Sequence, residues 1–145
     1  LENEHWQFKA WQATTDPGVY WLKSKKGNKK GTAVLKSGQY RGAWILGKHR
    51  GRYPALLQRM GDVEVWRDAN KDDVIDRKGK TEIGKFGINI HRAHSTRELK
   101  TVGPYSAGCM VFRRAQDLDA LLLLCRRQIE NHPTWTRFSF TLIEE

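Results

Sequence analysis

Short apolar runs, each separated from the next by a turn, dominate the first two thirds of the chain and most restrict its fold. They are rich in β-branched and aromatic residues and several alternate between apolar and polar positions, which is typical of strands. Turn signals such as Asp16-Pro17-Gly18 stand between them. The predicted strands are residues 6–10, 19–22, 32–35, 42–46, 55–58, 63–66, 88–91, 111–112 and 136–143, and the lysine-rich stretch 23–31 is predicted to be an exposed hairpin loop. We therefore expect a mainly β sandwich or barrel-like fold.

One segment, residues 115–132, has the periodicity of an amphipathic helix. Its apolar side chains recur at the three- and four-residue spacings that place them on one helical face. They are Leu118, Leu121, Leu122, Cys125 and Ile129. Pro133 ends the pattern, and no linker or repeat divides the chain. We expect a single catalytic domain over residues 1–145, with this helix near its C-terminus.

The composition excludes several classes of protein. Hydrophobic residues make up 39% of the chain and no apolar run approaches the ~18 residues that a membrane-spanning helix needs, so neither a disordered tail nor a membrane span is expected. The net charge of +10 favours an anionic partner such as an acidic cell-wall polymer, although a solvated basic surface explains it equally well. The first residues do not form a signal peptide, and because the chain starts at Leu1 rather than at Met we leave its compartment open.

The two cysteines stand in different surroundings, which predicts different roles. Cys125 lies on the apolar helix face and is interpreted as a structural thiol. Cys109 ends the small-residue turn Ser106-Ala107-Gly108-Cys109, where Gly108 can adopt a positive φ and let the backbone approach a substrate. A free thiol has a pKa of ~8.5, so a nucleophilic cysteine needs a base within hydrogen-bond reach. His91, at the end of a predicted strand, is the preferred base, and His94 is a rival.

The segment 84–112 resembles the catalytic signature of the L,D-transpeptidase catalytic-domain family. That family has a histidine at the end of a strand and, somewhat fewer than about twenty residues later, a Ser-x-Gly-Cys turn. Here Cys109 lies 18 positions after His91. The resemblance implies an L,D-transpeptidase-like β-sandwich that acts on peptidoglycan stem peptides, with Cys109 as nucleophile and His91 as base. The residues then expected to bind the substrate are Arg92, Tyr105, Ser106, Ala107 and Gly108.

Two departures from the family pattern affect the expected reaction. The family usually has a histidine at the position of Ala107 and an arginine at the position of Val111. Because both groups lie near the acyl-donor site in the family, we expect a hydrolytic relative of the kind found in phage lysis or antibacterial proteins. The alternatives are a true cross-linking transpeptidase and a non-enzymatic basic module that binds cell wall or nucleic acid. Support for such a module comes from aromatic residues interleaved with the charge, namely Tyr20, Trp21, Tyr40 and Trp44.

The expected partner is peptidoglycan, with no nucleic acid, no cofactor and a monomeric chain. One weak metal candidate exists. Four oxygen-bearing side chains fall at positions of a calcium-binding loop pattern, and they are Asp68, Asn70, Asp72 and Asp76. The pattern then fails, because Asp73 replaces the required glycine and Gly79 the required glutamate. An acidic turn whose side chains cap their own backbone is the alternative. The histidines and cysteines have no zinc-ligand spacing.

Overall fold

The computed structural model describes residues 7–144, which form two sheets, one long helix and one short helix. The elements are β1 (Ala13–Thr14), α1 (Val19–Lys23), β2 (Thr32–Leu35), β3 (Gly38–His49), β4 (Tyr53–Gln58), β5 (Val63–Asp68), β6 (Thr81–Gly84), β7 (Ile90–Arg92), a 3₁₀ turn (Gly103–Tyr105), β8 (Met110–Phe112), α2 (Ala115–Asn131) and β9 (Arg137–Leu142). One sheet has the order β1-β8-β7-β4-β3-β9 and the other the order β2-β5-β6. The mainly β prediction is confirmed.

The six-stranded sheet is antiparallel except at its β7–β8 pair. These two strands run parallel, with His91 opposite Val111 and Ile90 opposite Met110. On the other side of β7, Leu56 of β4 pairs with Ile90. The β3–β4 hairpin is thereby fixed next to the strand that carries His91.

Helix α2 covers one face of this sheet and contacts β4, β7 and β8. Its Leu118 and Leu122 are fully buried, and they belong to the same core cluster as Ile90 and Met110. Burying an aliphatic side chain of this size contributes roughly 1.5–3 kcal/mol. His91 follows Ile90 in β7, so its side chain is on the opposite face of the sheet, directed away from α2. The predicted helix over 115–132 is confirmed within one residue.

Several sequence predictions require correction. Residues 19–22 form helix α1 instead of a strand: Leu22 is fully buried while Val19 and Tyr20 are about half exposed, a spacing that a strand would not give. Residues 7–10 have no regular structure, and Trp6, the start of that predicted strand, lies outside the described residues. The mostly exposed stretch 23–31 connects α1 to β2, so it is not a hairpin loop. The short strands β1 and β6 were not predicted.

Each of the other predicted strands overlaps one observed strand. These observed strands are β2, β3, β4, β5, β7, β8 and β9. Among the described residues, no helix has both the length and the apolar character that crossing a membrane requires.

Candidate active site

The turn from Ser106 to Cys109 is held by a buried serine. Ser106 is 1% exposed; its Oγ donates to the carbonyl oxygen of Cys109 at 2.8 Å and accepts from the N–H of Gly108 at 3.1 Å. Gly108 has φ 128°, and a Cβ there would overlap the carbonyl oxygen of Ala33 in β2. Only glycine fits this position, because the turn is both left-handed and pressed against a neighbouring backbone.

Two hydrogen bonds from helix α1 and its N-cap residue also hold the same turn in place. The N–H of Gly18 donates to the carbonyl oxygen of Ser106 at 2.9 Å, and the indole N–H of Trp21 donates to that of Pro104 at 2.8 Å. These tertiary hydrogen bonds explain why residues 19–22 form a helix although their sequence predicts a strand. They also fix the position of Cys109 relative to β7.

The thiol of Cys109 is half-buried and protonated at neutral pH. Its Sγ donates to the carbonyl oxygen of Gly87 at 3.4 Å. Burial raises the pKa of the Cys109 thiol above its usual value, and a backbone hydrogen bond from Asn89 and the charge of Arg50 oppose this only in part. A nucleophilic role therefore requires a base that removes the proton during the reaction.

His91 has the tautomer that such a base requires. It is 2% exposed, and its Nδ1 lies 2.8 Å from the carbonyl oxygen of Arg92, which can only accept, so Nδ1 carries the proton. The Tyr53 hydroxyl donates to the same carbonyl at 3.2 Å and lies 3.3 Å from Nδ1. Burial lowers the pKa of His91 to about 4. The imidazole is neutral, and its Nε2 is buried without a hydrogen-bond partner among residues 7–144.

His91 is the middle residue of β7, not its last residue as predicted, and Cys109 immediately precedes the neighbouring strand β8. Because His91 is in register with Val111, two residues after Cys109, strand alternation directs both side chains to the same face. Within the part of the chain that the structure describes, no hydrogen bond joins Sγ to the imidazole. Catalytic hydrogen bonds in ligand-free sites are often long and tighten when substrate binds.

A second histidine, which sequence reasoning missed, stacks on the first. The rings of His49 and His91 have centroids 4.1 Å apart and an interplanar angle of 24°. The side-chain amide of Asn89 is oriented by the N–H of Gln58, which donates to its Oδ1 at 3.0 Å, so its Nδ2 faces Nδ1 of His49 at 3.4 Å. Burial lowers the pKa of His49 as well. A neutral His49 that accepts at Nδ1 carries its proton on Nε2.

A cleft of about 390 Å³ opens beside the thiol. Its walls include Cys109, Ala107, Tyr105, His49, Arg50 and Arg67. Of the residues predicted to bind substrate, Ala107 and Tyr105 therefore line the cleft. Ser106 and Gly108 are buried and instead determine the conformation of the turn. Neither His91 nor Arg92 is part of its lining. His91 is buried behind it, and the Arg92 guanidinium stacks on the Tyr53 ring at 4.4 Å while its backbone carbonyl orients His91.

The rival base and the second cysteine lie elsewhere. His94 follows β7, and its Nδ1 already accepts from the backbone N–H groups of Thr96 and Arg97. Cys125 is buried in the core, where burial raises its thiol pKa to about 11. It has the surroundings of an inert structural thiol.

The weak calcium candidates hydrogen-bond to one another. Nδ2 of Asn70 donates to Asp72 at 2.9 Å and to Asp76 at 3.0 Å, while the N–H of Asp76 donates to Asp68 at 3.0 Å. Among residues 7–144 no group of three or more histidine, cysteine or acidic side chains is arranged to hold a metal ion. These bonds fit the turn-capping alternative.

The site contains the groups that acyl transfer needs. There is a thiol on a rigid turn, a neutral imidazole with a fixed tautomer, and a donor for a developing oxyanion in the N–H of Cys109, for which no backbone acceptor is found within the described residues. Comparisons of the chain with protein-family models, with curated proteins and with solved structures give no match. A function is therefore inferred from the geometry of these residues.

Proposed function

We propose that this chain is a cysteine-dependent hydrolase of peptidoglycan stem peptides, an L,D-carboxypeptidase or L,D-endopeptidase that works through an acyl-enzyme. The observation that carries the proposal is that Cys109, on its glycine turn, lies on the same sheet face as a buried His91 whose Nδ1–H is committed to the Arg92 carbonyl. The substrate class comes from the resemblance of residues 84–112 to the L,D-transpeptidase family. Two sheets with a cysteine turn between them are compatible with that family's sandwich.

The chemistry follows from the tautomer of His91. When a substrate carbonyl enters the cleft, Nε2 takes the thiol proton as Sγ forms a bond to the carbonyl carbon. The N–H of Cys109 donates to the oxyanion. As the tetrahedral intermediate collapses, the C–N bond breaks, and His91 gives its proton to the leaving amine. Nε2 then deprotonates a water that hydrolyses the thioester, and the thiol is regenerated.

Hydrolysis is preferred to transpeptidation because of the cleft's shape beside the thiol. Ala107 is exposed and small, so it leaves the approach to Cys109 open to water. A true transpeptidase must hold an acceptor amine and keep water away from the thioester. It remains the second candidate.

A non-enzymatic binding module has less support. Trp44 is fully buried and donates to the Ile88 carbonyl at 2.7 Å, and the Tyr40 hydroxyl bonds to the Lys36 carbonyl at 2.6 Å. These two aromatic side chains are parts of the packing, which leaves Tyr20 and Trp21 without the wider platform that stacking on a polymer needs.

Digestion of purified peptidoglycan in oxygen-18 water, followed by mass analysis of the fragments, tests this function. We expect shortened stem peptides or separated cross-links that carry the label in a new carboxylate. Cys109→Ala should yield no labelled product, whereas Cys125→Ala serves as the matched control and should retain activity. If new cross-links accumulate without label, the enzyme is a transpeptidase. If Cys109→Ala releases the same labelled fragments, the nucleophile assignment is wrong.

A further inference from the structure

Arg50 stands out among the residues that line the cleft. It lies in the β3–β4 hairpin turn with φ 49°, next to Gly51 at φ 71°, and the turn is closed by the N–H of Arg52 donating to the His49 carbonyl at 3.0 Å. Paired positive φ values of this kind usually call for Asn-Gly or Gly-Gly. A long charged side chain at the first position is held in an unfavourable backbone conformation, and such strain often accompanies function.

The guanidinium of Arg50 has no partner among residues 7–144, in either ion pairs or hydrogen bonds. Arg67, the other arginine that lines the cleft, is different: its Nε donates to Glu82 at 2.8 Å and its Nη1 to the Gly31 carbonyl at 3.4 Å. Arg50 lines the same cleft as Cys109 and His49.

His49, the neighbour of Arg50 in the chain, adds a hydrogen-bond donor. Because its Nδ1 accepts from Asn89, its proton is on Nε2, and His49 also lines the cleft. A cation and a neutral N–H donor on adjacent residues form a recognisable receptor for a carboxylate, which accepts charge-assisted hydrogen bonds from both.

We propose that His49 and Arg50 bind a free carboxylate of the acyl donor, so that the substrate is a peptide with a carboxylate close to the scissile bond. The proposal rests on the proposed function, because it names the substrate class of the same cleft. The carboxylate is then recognised by the β3–β4 turn, while the Ser106–Cys109 turn supplies the nucleophile. Neutral or amidated peptides are then poor substrates for the same thiol.

Alkylation of Cys109 tests this without requiring turnover. Iodoacetate and iodoacetamide are nearly the same size, and with both the thiolate forms an S–C bond as iodide leaves, but only iodoacetate carries a carboxylate. The measurement is the ratio of their second-order rate constants at Cys109, read by peptide mass analysis. Arg50→Gln should lower this ratio about tenfold, since it removes the cation. Arg52→Gln is the matched control, because Arg52 is exposed in the same turn and outside the cleft.

Arg50→Gly separates recognition from folding, because glycine relieves the positive φ while removing the charge. It should lower the ratio as Arg50→Gln does, with a melting temperature no lower than that of the wild type. An unchanged ratio in Arg50→Gln and Arg50→Gly overturns the proposal. An equal fall of the ratio in Arg52→Gln also overturns it, because the effect would then come from the net positive charge of the turn and not from binding by Arg50.

A second arm uses stem peptides and separates this proposal from the hydrolase assignment. Amidation of the substrate carboxylate should reduce kcat/KM about tenfold for the wild type and have little effect for Arg50→Gln. If the alkylation ratio depends on Arg50 although no peptide is cleaved, the carboxylate site stands and the hydrolase assignment fails. If peptides are cleaved but amidation has the same effect on both proteins, the hydrolase assignment stands and the carboxylate site is wrong.

Discussion

The burial of His91 makes the free energy of unfolding depend on pH between 7 and 5. In the unfolded chain the imidazole titrates near its usual 6.5, whereas in the folded protein burial lowers its pKa to about 4. As the pH falls, the unfolded state takes up a proton that the folded state does not, so stability is full above about pH 6.5 and decreases towards pH 4. At about 1.36 kcal/mol per pH unit the full loss is about 3 kcal/mol, of which about 2 kcal/mol falls between pH 7 and pH 5.

Urea unfolding at a series of pH values from 7 to 5 measures this loss, since the denaturation midpoint reports stability at a constant m-value. In His91→Gln most of the dependence should disappear, with a remainder from His49, whose pKa is also lowered by burial. His132→Gln, at an exposed histidine, should behave as the wild type. If the wild type keeps its stability down to pH 5, or if His91→Gln loses as much as the wild type, the imidazole is not held neutral by burial and the base assignment fails.

The glycine turn, the Tyr53 hydroxyl, the core thiol and the basic surface can each be tested separately. Gly108→Ala should destabilise the protein by at least about 2 kcal/mol and abolish activity, because it combines a positive φ with an overlap on Ala33; a melting temperature equal to that of the wild type would contradict the turn geometry. Tyr53→Phe removes the hydroxyl that bonds to the Arg92 carbonyl, and we expect a loss of about 1 kcal/mol in stability and a several-fold fall in kcat with KM little changed; unchanged kcat would show that the hydroxyl does not help to orient His91. Cys125→Ala should cost about 1 kcal/mol and spare catalysis; lost activity at full stability would overturn its structural role. Binding to whole cell walls should weaken as salt rises, because exposed charges are screened within ~8 Å at physiological ionic strength; binding that persists in molar salt would exclude the basic surface as its cause.

The sequence was sufficient wherever one local pattern decided the outcome. The helix over 115–132 was predictable because its apolar positions share a face, and it ends at Asn131, two residues before Pro133. The strand 32–35 was predictable because all four residues suit a buried strand. The turn before Cys109 was expected to need glycine at 108, and the structure places a positive φ there.

Features that depend on tertiary contacts could not be predicted. Residues 19–22 lack enough length to show a period, and their helical state depends on bonds from Gly18 and Trp21 to the distant 3₁₀ region. His49 and Arg50 approach Cys109 only because β4 pairs with β7. Arg50-Gly51 reads as an ordinary turn, and nothing in its sequence indicates that the cleft lies beside it.

Trapping the acyl-enzyme tests the central claim most directly. Purified stem peptides are mixed with the protein, the reaction is stopped in acid after a fraction of a turnover, and the intact and peptide masses are measured. The mechanism predicts an adduct of the acyl fragment's mass as a thioester on Cys109, absent from Cys109→Ala and still formed by Cys125→Ala. Turnover of the peptides with no adduct on Cys109 under any quenching time, or an adduct on another residue, would contradict it.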